Sequence, residues 1–216
     1  MAKKQYHHGD LRQRLLETAE KILVREGVEG LTMRHLSEKV GVSHTAPYRH
    51  FADKTLLLSS VAEKGFLRLR NRLVEAAGDR GDGAVARLER ISLAYVEFAV
   101  ENPSFYRLMF GTEAVTHSPP PELQAAARSA FEIGIMTLKE CQEEGSIRAE
   151  DPHLLTSLAW ATIHGLSTLL IDRQVRSMEA QGGAHALVVG GEGDGSEDLR
   201  GMARMAIRSL LRGMKA

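Results

Sequence analysis

The sequence predicts an all-α protein: a three-helix helix-turn-helix unit followed by a larger helical domain, about nine helices in all. Three observations lead there. Apolar residues recur at three- and four-residue spacing throughout, and no run of alternating β-branched residues reaches strand length. Glycine and proline punctuate these stretches where helices would stop and start. The charge is divided along the chain. Residues 1–75 carry 14 Lys+Arg against 9 Asp+Glu and residues 76–216 carry 14 against 19, so the formal net charge of +0 is the sum of a basic head and an acidic body. A basic head suits a polyanionic partner, and the neutral total does not exclude nucleic acid.

A first helix is expected from about Asp10 to Glu26, with Leu11, Leu15, Ala19, Ile22 and Leu23 on one face and Gly27 as its stop. Thr32 suits the N-cap of a short second helix to Val40, which Gly41 ends. Ser43 opens a third short helix reaching about His50. After Ala52, Asp53 and Lys54, a long amphipathic helix runs through Leu56, Leu57, Val61, Leu69 and Leu73 to a linker at residues 78–83. The next helix ends near Asn102 and aligns Leu88, Ile91, Tyr95 and Phe98, and Pro103 precedes a short helix from Ser104 to Phe110. Pro119 to Pro121 interrupt the chain before a helix from Glu122 to Glu144, closed by Gly145, and Pro152 begins another that reaches about Ser177. The glycine-rich stretch within residues 179–195 is expected to be a mobile loop, and Ser196 caps a last helix to about Met214. The division read from these signals is residues 1–53 with an N-terminal arm, then residues 54–216.

Several function classes are disfavoured. The single cysteine, Cys141, excludes an internal disulfide and a Cys-cluster zinc site and fits a reducing compartment. No stretch holds roughly 18 uninterrupted apolar residues and the start is polar, so a cytoplasmic protein without a membrane partner is expected. No G-x-S-x-G elbow, Walker loop or H-E-x-x-H pair is present, and Cys141 lies among Glu140, Glu143 and Glu144, which disfavour a thiolate. An enzyme is not expected, and no cofactor or metal is implied.

A helix-turn-helix needs spaced apolar anchors, a small residue where the helices cross and a turn glycine. Leu36 and Val40, Ser37, and Gly41 meet those needs, with Val42 and Phe51 returning to the core. The element after Gly41 then presents His44, Thr45, Tyr48, Arg49 and His50, which can bond phosphate oxygens and base edges. Pro47 disturbs this element. An interior proline costs about 3 kcal/mol, less near a helix start, and biases the preceding Ala46 away from helical angles. A distorted or late-starting first turn is expected. Upstream, Lys3, Lys4, Tyr6, His7 and His8 form either an arm that reaches DNA or a disordered terminus.

The segment LTMRHLSEKVGVSHTAPYRHFADKTLLL closely resembles the DNA-binding signature of the TetR family of bacterial regulators, with the match strongest over residues 10–60. The resemblance implies a homodimer on a double-stranded DNA operator, with the third helix in the major groove. It also implies phosphate contacts by Arg34, Tyr48, His50 and Lys54, and base or backbone contacts by Ser43, His44 and Thr45. Arg49 completes the candidate DNA-binding set, together with Ala46 and Pro47, which stands where many relatives carry leucine. A ligand-released repressor is the leading functional reading, in which a small-molecule effector moves the two readers off successive major grooves about 34 Å apart. The alternative is a regulator controlled by a protein partner, or an activator.

Beyond residue 83 only the helix layout resembles the family, apart from the Trp-x-x-x-His-Gly pattern within AWATIHGLSTLL, residues 159–170, found in one branch. Spacing places Trp160 and His164 on one face and Ala161, Gly165 and Thr168 on an adjacent one. The family uses its last two long helices for dimerisation. That makes Ala161, Gly165, Thr168, Met202, Ala206, Ile207, Leu210 and Leu211 dimer-interface candidates, with filling of the subunit's own core as the other reading. Ligand-pocket candidates are Tyr95, Phe98, Phe105, Tyr106, Met109, Phe110, Phe131, Met136, Trp160 and His164. His164 either hydrogen-bonds a ligand or is a satisfied interhelical histidine.

Overall fold

The computed structural model describes residues 8–78, 80–111, 115, 117–172 and 196–215. Among them are eight α-helices and no strand: α1 (His8–Gly30), α2 (Met33–Val40), α3 (Lys54–Ala77), α4 (Ala84–Glu101), α5 (Pro103–Gly111), α6 (Pro121–Glu143), α7 (Pro152–Ile171) and α8 (Ser196–Gly213). The all-α expectation of about nine helices holds closely. Lys3, Lys4, Tyr6 and His7 of the arm and the expected mobile loop at 179–195 lie outside the described residues, as does the expected stretch of α7 beyond Asp172.

The chain forms two compact units, and their limits differ from the division at residue 53. One unit is Met1–Leu67 with Ser104–Ala127, and the other is Arg68–Pro103 with Arg128–Ala216.

In the first unit Leu11, Leu15, Ala19, Ile22 and Leu23 are buried, as the periodicity of α1 requires. Gly27 breaks the helix with φ 72 and ψ −173, and a further helical turn follows to Gly30. At the start of α3, Asp53 Oδ1 accepts the Leu56 N–H at 2.8 Å. Leu57, Leu58, Val61, Ala62 and Phe66 are buried from α3, whereas Leu56, expected on that stripe, is partly exposed. Gly65 is required where α3 meets α5, because a Cβ there would stand 2.6 Å from Met109 Sδ and 3.3 Å from Phe105 Cδ1. Phe66 meets Phe110 edge-on with ring centroids 5.2 Å apart.

In the second unit α4 packs on α7 and α8. The Glu144 carboxylate accepts the Ala84 N–H at 3.0 and 3.1 Å and so caps α4 from the end of α6. Arg87 pairs with Glu140 nearby. Arg148 closes α8 by donating its backbone N–H to Met214 O at 3.0 Å and its guanidinium to Gly213 O at 2.8 Å. Cys141 is buried, and desolvation together with the Glu144 charge pushes its thiol up to about 11.

Helix α7 is the exception to ordinary core packing. Its most apolar 18-residue window has a mean hydropathy of 1.5, yet only 28% of that window is buried, and Leu154, Leu158 and Leu169 stand 42% to 53% exposed. It is the one described helix long and apolar enough to cross a membrane. Ser157, Thr162, Ser167 and Thr168 interrupt it, each returning its hydroxyl proton to the carbonyl four residues earlier at 2.7 to 3.0 Å.

Candidate nucleic-acid interface

The helix-turn-helix is built outward from α2. Thr32 Oγ1 accepts the His35 N–H at 3.1 Å at one end, and Gly41 ends the helix with φ 76 and ψ 41. Ser37 O accepts the N–H of both Gly41 and Val42 at 3.0 Å, and Glu38 O shares the Gly41 N–H at 3.3 Å. Arg14 of α1 donates to Val40 O at 3.1 Å, satisfying a further carbonyl of the last turn. Leu36 and Ser37 are fully buried, Phe51 is 3% exposed, and the Arg12 guanidinium lies 5.3 Å from the Phe51 ring centroid.

The reading element differs from the expected helix over Ser43 to His50. Residues 44–46 form turns, and Pro47–Arg49 form a 3-10 helix. The reason is Pro47. An α-helix would need its N–H to satisfy Ser43 O, which proline lacks, and its ring would collide with that carbonyl. Ala46 N–H takes Ser43 O instead at 2.9 Å, and i to i−3 bonds follow from Arg49 to Ala46 O at 3.2 Å and from His50 to Pro47 O at 3.0 Å. The expected distortion is therefore present and extends over the whole element. The bias expected on Ala46 is overridden, because it holds helical angles of φ −62 and ψ −41. Pro47 itself is fully buried, so it shapes the turn and offers nothing to a partner.

This tight arrangement leaves Ser43, His44, Thr45, Tyr48 and Arg49 exposed on one short segment, with Ala46 and His50 half-buried. Ser43 Oγ and Thr45 Oγ1 are 3.3 Å apart. Arg34 is 80% exposed and donates to Glu38 at 3.0 Å, which holds the Glu38 carboxyl below the usual carboxylate range. The pair is exposed and screened by solvent, so a phosphate can compete for Arg34. Lys54 Nζ donates to Val28 O at 3.2 Å, and the ammonium has two further protons. Ser37, expected as the small residue at the helix crossing, also bonds His44, Oγ to Nδ1, at 3.0 Å.

The ligand-pocket candidates are drawn from both units. Phe105, Tyr106, Met109 and Phe110 pack in the first unit, while Tyr95, Phe98, Phe131, Trp160 and His164 belong to the second. Met136 is 59% exposed and lines no interior, since it falls on the outer side of α6. In the second unit Trp160 Nε1–H donates to Tyr95 Oη at 3.1 Å, and Tyr95 Oη lies 3.0 Å from His164 Nδ1. The His164 imidazole is half-buried, and desolvation lowers its pKa below the ordinary histidine value. An open groove of about 640 Å³ lies elsewhere in this unit, between Val85 and Glu89 of α4, residues 145–147, and Arg208, Leu211 and Arg212 of α8. It shares no residue with the ten ligand-pocket candidates, and its Arg208 is tied to Glu89 at 2.7 Å.

The dimer-interface candidates also divide. Ala161, Gly165 and Thr168 are exposed on the open face of α7, whereas Met202, Ile207 and Leu211 are buried within their own subunit and Ala206 and Leu210 are half-buried. The apolar face of α8 is consumed by packing on α4 and α7, and Met205, at 62% exposure, is the large apolar side chain left outside.

Comparison with known proteins bears on both parts of the chain. The family described as "Bacterial regulatory proteins, tetR family" matches residues 15–61, and that described as "Tetracyclin repressor-like, C-terminal domain" matches residues 88–188. An uncharacterized HTH-type transcriptional regulator, YobS of Bacillus subtilis, is 31% identical over 93 residues, 43% of this chain and 47% of that protein, so the chain matches about half the length of that relative. The nucleoid occlusion factor SlmA of Edwardsiella ictaluri is 28% identical over 84% of this chain and 93% of its own. A solved structure of a protein of unknown function from Rhodococcus sp. RHA1 superimposes with a TM-score of 0.77 at 31% identity, covering 99% of this chain and 100% of the other.

Proposed function

The chain belongs to the TetR family of DNA-binding transcription regulators, and from that premise we propose that it is a homodimeric repressor released from its operator by a small molecule. The observation that carries the reading is the rigid, exposed segment from Ser43 to His50, fixed by the Ser37 carbonyl on one side and by buried Pro47 and Phe51 on the other. Tyr48, Arg49, His50, Lys54 and Arg34 hold phosphates, and Ser43, His44 and Thr45 face base edges in the major groove. Functionally, residues 1–53 read DNA and residues 54–216 regulate and dimerise. The site of action is the cytoplasm, on the nucleoid.

Dimerisation uses the open face of α7. Leu154, Leu158, Ala161, Gly165, Thr168 and Leu169 make an apolar stripe with small residues at its middle, which lets two backbones approach, and Met205 of α8 extends it. Trp160, His164 and Gly165 support placing the chain in the branch that carries this motif. The effector is a mostly apolar molecule with an acceptor or donor able to replace one partner in the Tyr95, Trp160 and His164 group. A second reading rests on the 187-residue likeness to a nucleoid occlusion factor: DNA occupancy answering to a protein partner instead of a small molecule.

Gel-shift titration of DNA flanking the protein's own gene tests the first step. A retarded band at low salt that is lost in the Tyr48→Ala and Arg49→Ala double variant is expected, and no retardation of any flanking fragment would remove the repressor reading. Native mass spectrometry of protein isolated from cells separates the two controls, with a small-molecule adduct favouring the effector and its absence across growth conditions favouring a protein partner.

A further inference from the structure

We propose that His44, in its neutral form, carries its proton on Nδ1, so that its outward Nε2 is an acceptor that selects a base amino group, N4 of cytosine or N6 of adenine. Ser37 is the positioning residue that sets this tautomer. The inference rests on the DNA-reading role proposed above for residues 43–50, and it adds the chemical class of base that one of them takes.

The argument is a proton count. The Ser37 hydroxyl has one proton, and its Oγ lies 2.7 Å from the Arg34 carbonyl oxygen. A carbonyl brings no hydrogen, so the serine proton occupies that contact. Toward His44 Nδ1, 3.0 Å away, Ser37 Oγ then has only lone pairs to offer, and the imidazole must supply the hydrogen. In a neutral ring the proton on Nδ1 leaves Nε2 with a lone pair, the reverse of the tautomer histidine favours in water.

The arrangement is held firmly. Ser37 is 0% exposed, so water cannot take over either bond, and its backbone carbonyl, fastened to Gly41 and Val42, keeps the residue at the turn. Turning the ring over would replace an N–H with a C–H against Ser37 Oγ. The remaining edge of His44 is exposed beside Thr45. In the major groove guanine offers only acceptors at N7 and O6 and thymine an acceptor at O4, while cytosine N4 and adenine N6 carry donors. An acceptor-only nitrogen bonds the second pair and is repelled by the first.

Two measurements on the full chain test this. Nitrogen-15 imidazole spectra of the DNA-free protein at about pH 8, where an ordinary histidine is neutral, are expected to show His44 protonated at Nδ1 and bare at Nε2. The Ser37→Ala variant is expected to shift toward the Nε2-protonated form, which a merely structural serine would not cause. A wild-type His44 protonated at Nε2 overturns the proposal whether or not DNA binds. Selection from randomised duplex DNA is then expected to enrich cytosine or adenine at one position of each half-site. The wild-type preference is expected at about two- to tenfold, as one neutral hydrogen bond allows, and His44→Lys, a cationic donor, is expected to turn it toward guanine or thymine. Enrichment of guanine or thymine by the wild type at the position that His44→Lys alters, or no altered position, overturns the proposal while leaving DNA reading intact. No enriched sequence at all sinks the DNA-reading role instead, with the spectra still deciding the tautomer.

Discussion

Two histidines in this chain are each held through Nδ1 by a hydroxyl 3.0 Å away, His44 by Ser37 and His164 by Tyr95. Their surroundings make them opposite devices. At His44 the hydroxyl proton is committed to a carbonyl, so the ring's own proton is fixed, and the rest of the ring stands in solvent. At His164 the phenol oxygen receives the Trp160 N–H, a bond that uses a lone pair and leaves the direction of the Tyr95–His164 bond to other neighbours. The His164 ring is half-buried and disfavours charge. A hydroxyl tied to a carbonyl prepares a reader with one hydrogen-bonding sense, whereas one that receives an N–H builds an interior polar group that can exchange partners.

The comparison can be broken most forcefully beneath its first member. Leu36→Ala removes a fully buried side chain from the base of α2 and is expected to cost about 2 to 5 kcal/mol, read from urea unfolding by circular dichroism. Tyr95→Phe strips the Trp160 N–H of its acceptor in a mostly buried setting. A loss of about 1 to 3 kcal/mol is expected, with a change in the emission of Trp160, the chain's single tryptophan. Ser37→Ala should cost less than about 1 kcal/mol, because the exposed His44 ring can turn to water once its partner is gone. A larger loss for Ser37→Ala than for Tyr95→Phe would reverse the assignment of surface reader and interior network.

The smallest effect sharpens the second member. The His164 pKa is lowered in the folded state, so its contribution to stability is complete above the ordinary value of 6.5 and is lost as pH falls through the folded value. The Trp160 ring centroid lies 5.0 Å from that of His164, which makes tryptophan emission a local reporter. Urea midpoints followed by emission should fall on acidification, and His164→Gln should flatten the fall. Equal pH dependence in the two proteins would place the acid-sensitive group elsewhere.

Local signals made α2 legible in the sequence to the residue, because Thr32 and Gly41 act on their own helix ends. The same reasoning foresaw that Pro47 would disturb the reading element, but not that the whole segment would become turns and a 3-10 helix. Once Ser43 O is taken at i−3, Arg49 and His50 bond in the same tighter register, and Phe51 N–H returns to an i−4 bond on Pro47 O. The faces of α7 and α8 were only half legible. Ala161, Gly165 and Thr168 are outward and Met202, Ile207 and Leu211 inward, and an apolar stripe alone does not say whether its own chain or another covers it. Trp160 and His164 share a face by spacing alone, whereas their common partner Tyr95 is 65 residues from Trp160, beyond any local signal. The Ser37–His44 bond escaped notice for a related reason: it forms only after the turn at Gly41 folds the chain back.

The direct test of the reading segment is the salt dependence of operator affinity for the wild type, Arg49→Ala and Arg212→Ala, two exposed arginines, one in the basic head and one in the acidic body. Each phosphate contact contributes about −0.9 to the slope of log affinity against log salt. The expected result is a slope shallower by about one contact for Arg49→Ala and unchanged for Arg212→Ala. A slope unchanged by Arg49→Ala, or altered equally by both substitutions, would contradict the assignment of residues 43–50 to the DNA.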